Sequence, residues 1–184
     1  MRAARSDKKA LPYADTDLSA FFSALPFRLT GAQSRAIDEI LADFRRGAPM
    51  NRLVQGDVGA GKTMVAAAAA YCAIQNGHQC ALMAPTEILA EQHHQSLTRL
   101  FAPMGIQVGL LTGSMKEKEK KAVRAALAAG EISLAVGTHA LLSDATTFRD
   151  LDLVIADEQH RFGVAQRSKL AAKGADPHLL VMSA

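Results

Sequence analysis

The sequence predicts an α/β fold, doubly wound around a mainly parallel sheet with helices on both faces, and three observations predict it. Short β-rich apolar runs alternate with stretches long enough for crossover helices. A glycine-rich turn over 56–63 lies directly between an apolar run and a helical stretch. Two acids, Asp157 and Glu158, follow the apolar run 151–156, at the carboxyl end of a strand, where open α/β sheets bind their ligands.

Taken in order, residues 1–24 are basic and polar with scattered apolar positions and read as a linker, while strong patterning begins at about Leu25. One domain is therefore expected over 25–184. An amphipathic pattern over 30–46 predicts a helix, with Asp38 and Glu39 on its exposed surface. Strand 52–54 leads through the glycine turn into a helix over 62–75, which holds five consecutive alanines, strong helix formers that fill little core volume. Strand 80–84 precedes a helix over 87–101, and strand 108–111 precedes a helix over 115–129. The charge run at the start of that last helix mixes both signs, with Glu117 four residues before Lys121, so a solvated helix face is expected. Strands 132–136, 151–156 and 179–182 complete the sheet. The chain stops at this last strand with no helix after it, which reads as a piece of something longer.

Composition sets the outer limits. A chain of 184 residues that is 49% hydrophobic can bury a core, which excludes disordered and fibrous classes. Its net charge of +3 tolerates an anionic partner without announcing one. Two cysteines, Cys72 and Cys80, cannot make a disulfide scaffold, and a cytoplasmic location is expected. The longest apolar stretches run to about ten residues, half of a bilayer span, and the basic N-terminus is not followed by the apolar core of a signal peptide.

Gly56, Asp57, Val58, Gly59, Ala60, Gly61, Lys62 and Thr63 match Gly-x-x-x-x-Gly-Lys-Thr in its required context, after a strand and before a helix. The glycines let successive N–H groups face one anion, and the helix N-terminus adds its dipole at the same place. Lys62 supplies a point charge for the β- and γ-phosphates, and Thr63 offers a hydroxyl to Mg²⁺. A bare glycine turn would account for the glycines but not for the lysine. The same chemistry needs an acid for the metal and a base for water: Asp157 suits the first task and Glu158 the second.

Asp157, Glu158, Gln159 and His160, together with that loop, resemble the nucleic-acid-dependent ATPases of helicase superfamily 2. Phe27, Leu29, Thr30 and Gln33 look like its Q motif, in which the glutamine reads the adenine edge and the upstream aromatic stacks on the base. Residues 84–90 resemble motif Ia, residues 137–142 resemble motif Ib, and Met182, Ser183 and Ala184 look like the opening of motif III. Arg161, Phe162, Gly163, Val164, Gln166 and Arg167 after the acids, with Leu111, Thr112, Gly113 and Ser114, narrow the match to the RecG family of branch-migration helicases. His160 favours that family over the transcription-repair coupling factors, which with the primosomal helicases remain the alternatives within the superfamily.

That resemblance implies the first RecA-like lobe of a P-loop NTPase, with ATP and Mg²⁺ as cofactors. It implies ATP held by Phe27, Gln33 and the loop residues Gly56, Asp57, Gly59, Ala60, Gly61, Lys62 and Thr63, with catalysis by Lys62, Asp157 and Glu158. Metal ligation falls to Thr63 and Asp157, and coupling to DNA falls to His160 and Ser183. Pro85, Thr86, Thr112, Gly113, Thr138 and His139 each follow a strand and would grip DNA phosphates, although small polar residues there also cap helices. The implied partners are branched or forked DNA, a second RecA-like lobe that brings an arginine finger, and a wedge domain; no membrane partner is expected. The lobe alone is expected to hydrolyse ATP poorly. A P-loop kinase or signalling NTPase is the alternative from another class, and nucleotide preference separates the two because the Gln33 reading demands ATP over GTP. Glu91 and His94 make a Glu-x-x-His pair without the second copy that a di-iron site needs, and read as surface residues.

Overall fold

The computed structural model describes residues 12–55, 60–157 and 164–183. Helices α1 (Ser19–Ala24), α2 (Gly31–Arg45), α3 (Ala60–Gln75), α4 (Glu87–Phe101), α5 (Glu117–Ala129) and α6 (Val164–Ala171) alternate with strands β1 (Asn51–Gln55), β2 (Gln79–Met83), β3 (Val108–Leu111), β4 (Leu134–Gly137), β5 (Leu151–Asp157) and β6 (His178–Ser183). The strands form one sheet in the order β1-β6-β5-β2-β4-β3. Every pairing in it is parallel.

Alternation along the central strands sends side chains to opposite faces, and helices cover both. Cys80 and Leu82 of β2, Leu134 and Val136 of β4, and Leu153 and Ile155 of β5 pack into a cluster with α2, α3 and α4. Ala81, Met83, Ala135 and Val154 join Leu127 of α5 and Leu170 of α6 on the other face. Helix α3 is buried all round from Met64 to Ala73, which explains its alanines: a helix without a polar face belongs inside, and small side chains let it approach its neighbours. Each large apolar side chain in these clusters contributes about 1.5–3 kcal/mol by leaving water.

Local signals fix the helix ends. Thr30 caps α2 by accepting from Gln33 N–H at 3.2 Å, while Gln33 Oε1 accepts from Thr30 N–H at 2.7 Å, a reciprocal capping box. Gly130, at φ 79°, ends α5, and the amides of Gly130, Glu131 and Ile132 all turn back to carbonyls at its end. Those bonds explain why β4 starts at Leu134 and not at residue 132 as the apolar pattern predicts.

The amino edge of the sheet is closed by buried polar groups. Gln79, 4% exposed, donates from Nε2 to the carbonyls of Leu127 and Ile132 and accepts from Asp150 N–H, tying β2 to the end of α5 and the start of β5. Tyr13 OH donates to Asp152 Oδ2 at 2.6 Å, and its ring packs on Phe44, His78 and His178. This corrects the expected boundary at Leu25. Tyr13, Leu18 and Phe21 lie in the main core, so the packed unit reaches upstream of Leu25 to at least residue 13. Isolated apolar residues in a polar stretch look like a linker until a distant surface receives them. No helix among the described residues is long and apolar enough to cross a membrane.

Candidate nucleotide and nucleic-acid site

Parallel strands deliver their carboxyl ends to one edge, and the predicted site residues cluster there. Gln55, the last residue of β1 and the one before the glycine turn, is in register with Ser183 of β6. Asp157, the last residue of β5, is in register with Met182. Three adjacent strand ends thus bring Gln55, Ser183 and Asp157 within about 10 Å, two interstrand spacings. Helix α3 opens at this edge with Ala60, Gly61, Lys62 and Thr63 in its first turn, where N–H groups lack helical partners and the dipole favours an anion. Lys62 and Thr63 are half-buried, and their side chains make no hydrogen bond with the described residues. Gly56, Asp57, Gly59, Glu158 and His160 lie outside the described residues.

Gln33 reaches the same place from α2. A Cβ on Gly61 would collide with Gln33 Nε2, so the glutamine amide lies directly over the first turn of α3 and would have to shift for any larger residue there. Oε1 is held by the capping box, which leaves Nε2 as the free end of the amide. Phe27, 41% exposed, stands in the segment before α2 as an uncovered ring. The capping box was legible in the sequence, since Thr30-x-x-Gln33 is its signature; the contact with Gly61 was not.

Asp157 is held. His93 Nε2 lies 2.8 Å from Asp157 Oδ2, and the two side chains are only 13% and 14% exposed. A carboxylate accepts and does not donate, so the proton of this bond sits on Nε2. Sequence reasoning passed over His93 and considered His94 instead. His94 points to the carbonyl of Val108 at 3.3 Å, on β3. Nothing in the linear sequence marks His93, because its partner comes from the neighbour that β2 acquires only in the folded sheet.

The donor set fits a hard cation bound together with a phosphate chain. Among the described residues no group of three His, Cys, Asp or Glu side chains could hold a metal alone. Mg²⁺ usually takes one or two protein oxygens and completes its octahedron with waters and phosphate oxygens, and Thr63 and Asp157 offer one each.

The residues expected to grip nucleic acid occupy the β2, β3 and β4 end of the same edge. Thr86 is exposed and caps α4, accepting from Leu89 N–H at 3.2 Å; Pro85 beside it is half-buried. Gly113 and His139 are exposed. Thr112 and Thr138, expected to touch DNA, are instead 1% and 3% exposed, and their side chains belong to the interior. The reason is the tight approach of the β3 and β4 ends: a Cβ on Gly137 would collide with the Leu111 carbonyl, and Thr138 N–H donates to that carbonyl at 3.3 Å. These two threonines hold up the exposed residues that follow them.

Glu87, also missed from sequence, fastens the loops together. Its Oε1 accepts from Ser114 N–H at 3.0 Å and its Oε2 from Ser114 Oγ at 2.7 Å. Those two bonds, with the nearby His139, hold the Glu87 carboxyl below its ordinary range. The first turn of α4, the turn after β3 and the turn after β4 therefore form one continuous surface.

The chain matches the DEAD/DEAH box helicases over residues 30–184. It is 56% identical over 172 residues to the ATP-dependent DNA helicase RecG of Bacillus subtilis, covering 94% of this chain and 25% of that protein. To the RecG of Escherichia coli it is 50% identical over 186 residues, with 99% and 27% covered. A solved structure of RecG bound to a three-way DNA junction superposes with a TM-score of 0.84 at 42% identity, over 99% of this chain and 25% of that one. The chain thus spans about a quarter of the length of these relatives. The sheet order, the helices on both faces and this superposition establish a RecA-like fold. With residues 30–184 matched, and the strand that leads into the glycine turn and the strand that ends in Asp157 finishing at one sheet edge, the chain belongs to the DEAD/DEAH box helicase family.

Proposed function

We propose that this chain is the ATP-binding lobe of a DNA helicase that remodels branched DNA, such as stalled forks and Holliday junctions, in recombination and repair. The observation that supports the reading is the register of β1, β6 and β5, in which Gln55, the residue before the glycine turn, and Asp157 end strands on either side of the strand that ends in Ser183. In this reading Gly56, Asp57, Gly59, Ala60, Gly61, Lys62 and Thr63 cradle the ATP phosphates, Thr63 and Asp157 hold Mg²⁺, and Glu158 orients the attacking water. Gln33 donates from Nε2 to the adenine edge and Phe27 stacks on its face. His160 and Ser183 couple loss of the γ-phosphate to the neighbouring strand ends.

Branched DNA is the partner that the RecG relatives and the RecG junction complex point to. It meets the surface made by Pro85, Thr86, Gly113 and His139, which contacts phosphates and does not read sequence. The motor is completed by a second RecA-like lobe that supplies an arginine finger, worth about 10³–10⁵ in rate, and by a wedge domain. Its setting in this reading is the nucleoid of a bacterial cytoplasm; that the relatives are bacterial supports the bacterial part of it.

The test is the ATPase rate of the full-length protein with forked DNA, with linear duplex and without DNA. Forked DNA is expected to give the highest rate, and Lys62→Ala to lower it by about 10²–10³, the cost of losing one positioned charge on the reacting group. A rate indifferent to DNA would overturn the helicase reading and favour a P-loop kinase or signalling NTPase.

A further inference from the structure

Helix α4 touches both halves of the candidate site. Its first residue, Glu87, fastens the turn after β3, and six residues on, about 9 Å along the helix axis, His93 holds Asp157. Its inner face is locked into the core by Ala90, Leu97, Leu100 and Phe101, all buried. Such a helix moves as a body or not at all.

Asp157 has two carboxylate oxygens. His93 engages Oδ2, and Oδ1 has no hydrogen bond with the described residues. A carboxylate at a strand end can rotate about χ2, and a metal ligand must present one lone pair in one direction. A donor fixed on the other oxygen stops that rotation, and hydrogen-bond partners behind metal ligands typically carry 10–100-fold in metal affinity or activity. Burial strengthens the restraint, since little water competes for Oδ2.

Resting on the reading of Asp157 as a metal ligand, we infer that His93 is the positioning residue for that carboxylate, and that through α4 it links the metal site to the DNA-facing turn held by Glu87. In this role His93 need touch neither nucleotide nor DNA. It acts through Asp157, and the direction of its N–H bond is what matters. Displacement of the turn at Ser114 by a bound strand is carried along α4 to the carboxylate, one route by which DNA sets the ATPase rate.

The experiment compares His93→Leu, which keeps bulk and removes the donor, with His93→Gln, which restores an N–H, in the full-length protein. Two readouts are taken: Mn²⁺ bound in the presence of a non-hydrolysable ATP analogue, followed by electron paramagnetic resonance, and the Mg²⁺ concentration giving half-maximal ATPase with and without forked DNA. The leucine variant is expected to weaken Mn²⁺ binding and raise the Mg²⁺ requirement by about 10–100-fold, and to blunt stimulation by DNA, with DNA affinity in the absence of nucleotide unchanged. The glutamine variant is expected to recover most of the loss. Parent-like Mn²⁺ binding in the leucine variant would overturn the inference, as would equal losses in both variants, which indicate packing alone. If leucine unfolds the protein, His93→Phe replaces it and is read the same way. Asp157→Asn runs in parallel: if it leaves Mn²⁺ binding intact, the metal-ligand reading falls and this inference with it. If it abolishes binding while His93→Leu does not, only the role of His93 falls.

Discussion

The two edges of the sheet are built on opposite principles. At the amino edge polar groups are closed on one another: both ends of the Gln79 amide are used, Tyr13 donates to Asp152, His78 pairs with Asp150 at 2.8 Å, and Met50 N–H donates to His178 Nδ1. At the carboxyl edge the side chains of Lys62, Thr63 and Ser183 make no hydrogen bond with the described residues, and the two carboxylates there are held at particular atoms by His93 and Ser114. One edge spends its polar groups on closing the fold and the other keeps them for a ligand. The strands all run the same way, so the difference comes from the segments that flank each strand in sequence, not from the sheet.

If that division is right, substitutions at the amino edge act on stability and leave ligands alone. Tyr13→Ala carries the largest expected effect on stability, because it empties a buried aromatic site and leaves Asp152 without its donor. A loss of about 3 kcal/mol is expected in urea unfolding, with ATP-analogue affinity of the folded fraction unchanged. A fall in nucleotide affinity without a fall in stability would break the comparison. At the opposite edge Glu87→Gln should do the reverse. An amide keeps one acceptor for Ser114 and loses the charge, so a shift within about 0.5 kcal/mol is expected in stability, since Ser114 is exposed. Affinity for forked DNA should still change several-fold as the joined turns loosen, measured by fluorescence anisotropy at fixed salt.

How much of this was readable beforehand obeys the same division. The carboxyl edge announced itself, because phosphate chemistry demands particular residues at close spacing: the glycines, Lys62 and Thr63 stand together in the chain, and Asp157 ends an apolar run. The amino edge did not, because its pairs join residues far apart, Tyr13 with Asp152 and Gln79 with Leu127, and only the finished sheet brings them together. The same reason hid His93 and Glu87, whose partners lie 64 and 27 residues away. Helix α6 went unread because its eight residues carry weak periodicity, and α1 because Phe21 alone of its residues is buried. Strand order was also illegible: alternation implies parallel strands but not that β6 returns between β1 and β5, the placement that makes the site. Thr112 and Thr138 show the converse error, where a residue type that fits phosphate contact was read as surface though the converging strand ends bury it.

The smallest expected effect sharpens the comparison, because it asks whether the amino edge senses pH as a structural element should. His178 is 1% exposed, its Nδ1 accepts from Met50 N–H at 2.8 Å, and its Nε2 has no hydrogen-bond partner among the described residues. Protonating Nδ1 would cost that bond and place a charge among the rings of Tyr13 and Phe44. Burial accordingly pushes the imidazole below its usual 6.5, against the upward pull of Asp152 and Asp43 and together with the repulsion of His78. A group with a depressed folded-state value binds fewer protons folded than unfolded, so stability falls as pH drops below about 6.5 and levels off once the folded form also titrates. His178→Gln keeps an acceptor for Met50 N–H and removes the titration. Thermal midpoints of parent and variant taken from about pH 7.5 down to about pH 5.5 should therefore converge as pH falls, the parent losing more. Parallel curves would mean that the His178 site opens to water before it titrates, and the amino edge would then be looser than its hydrogen bonds imply.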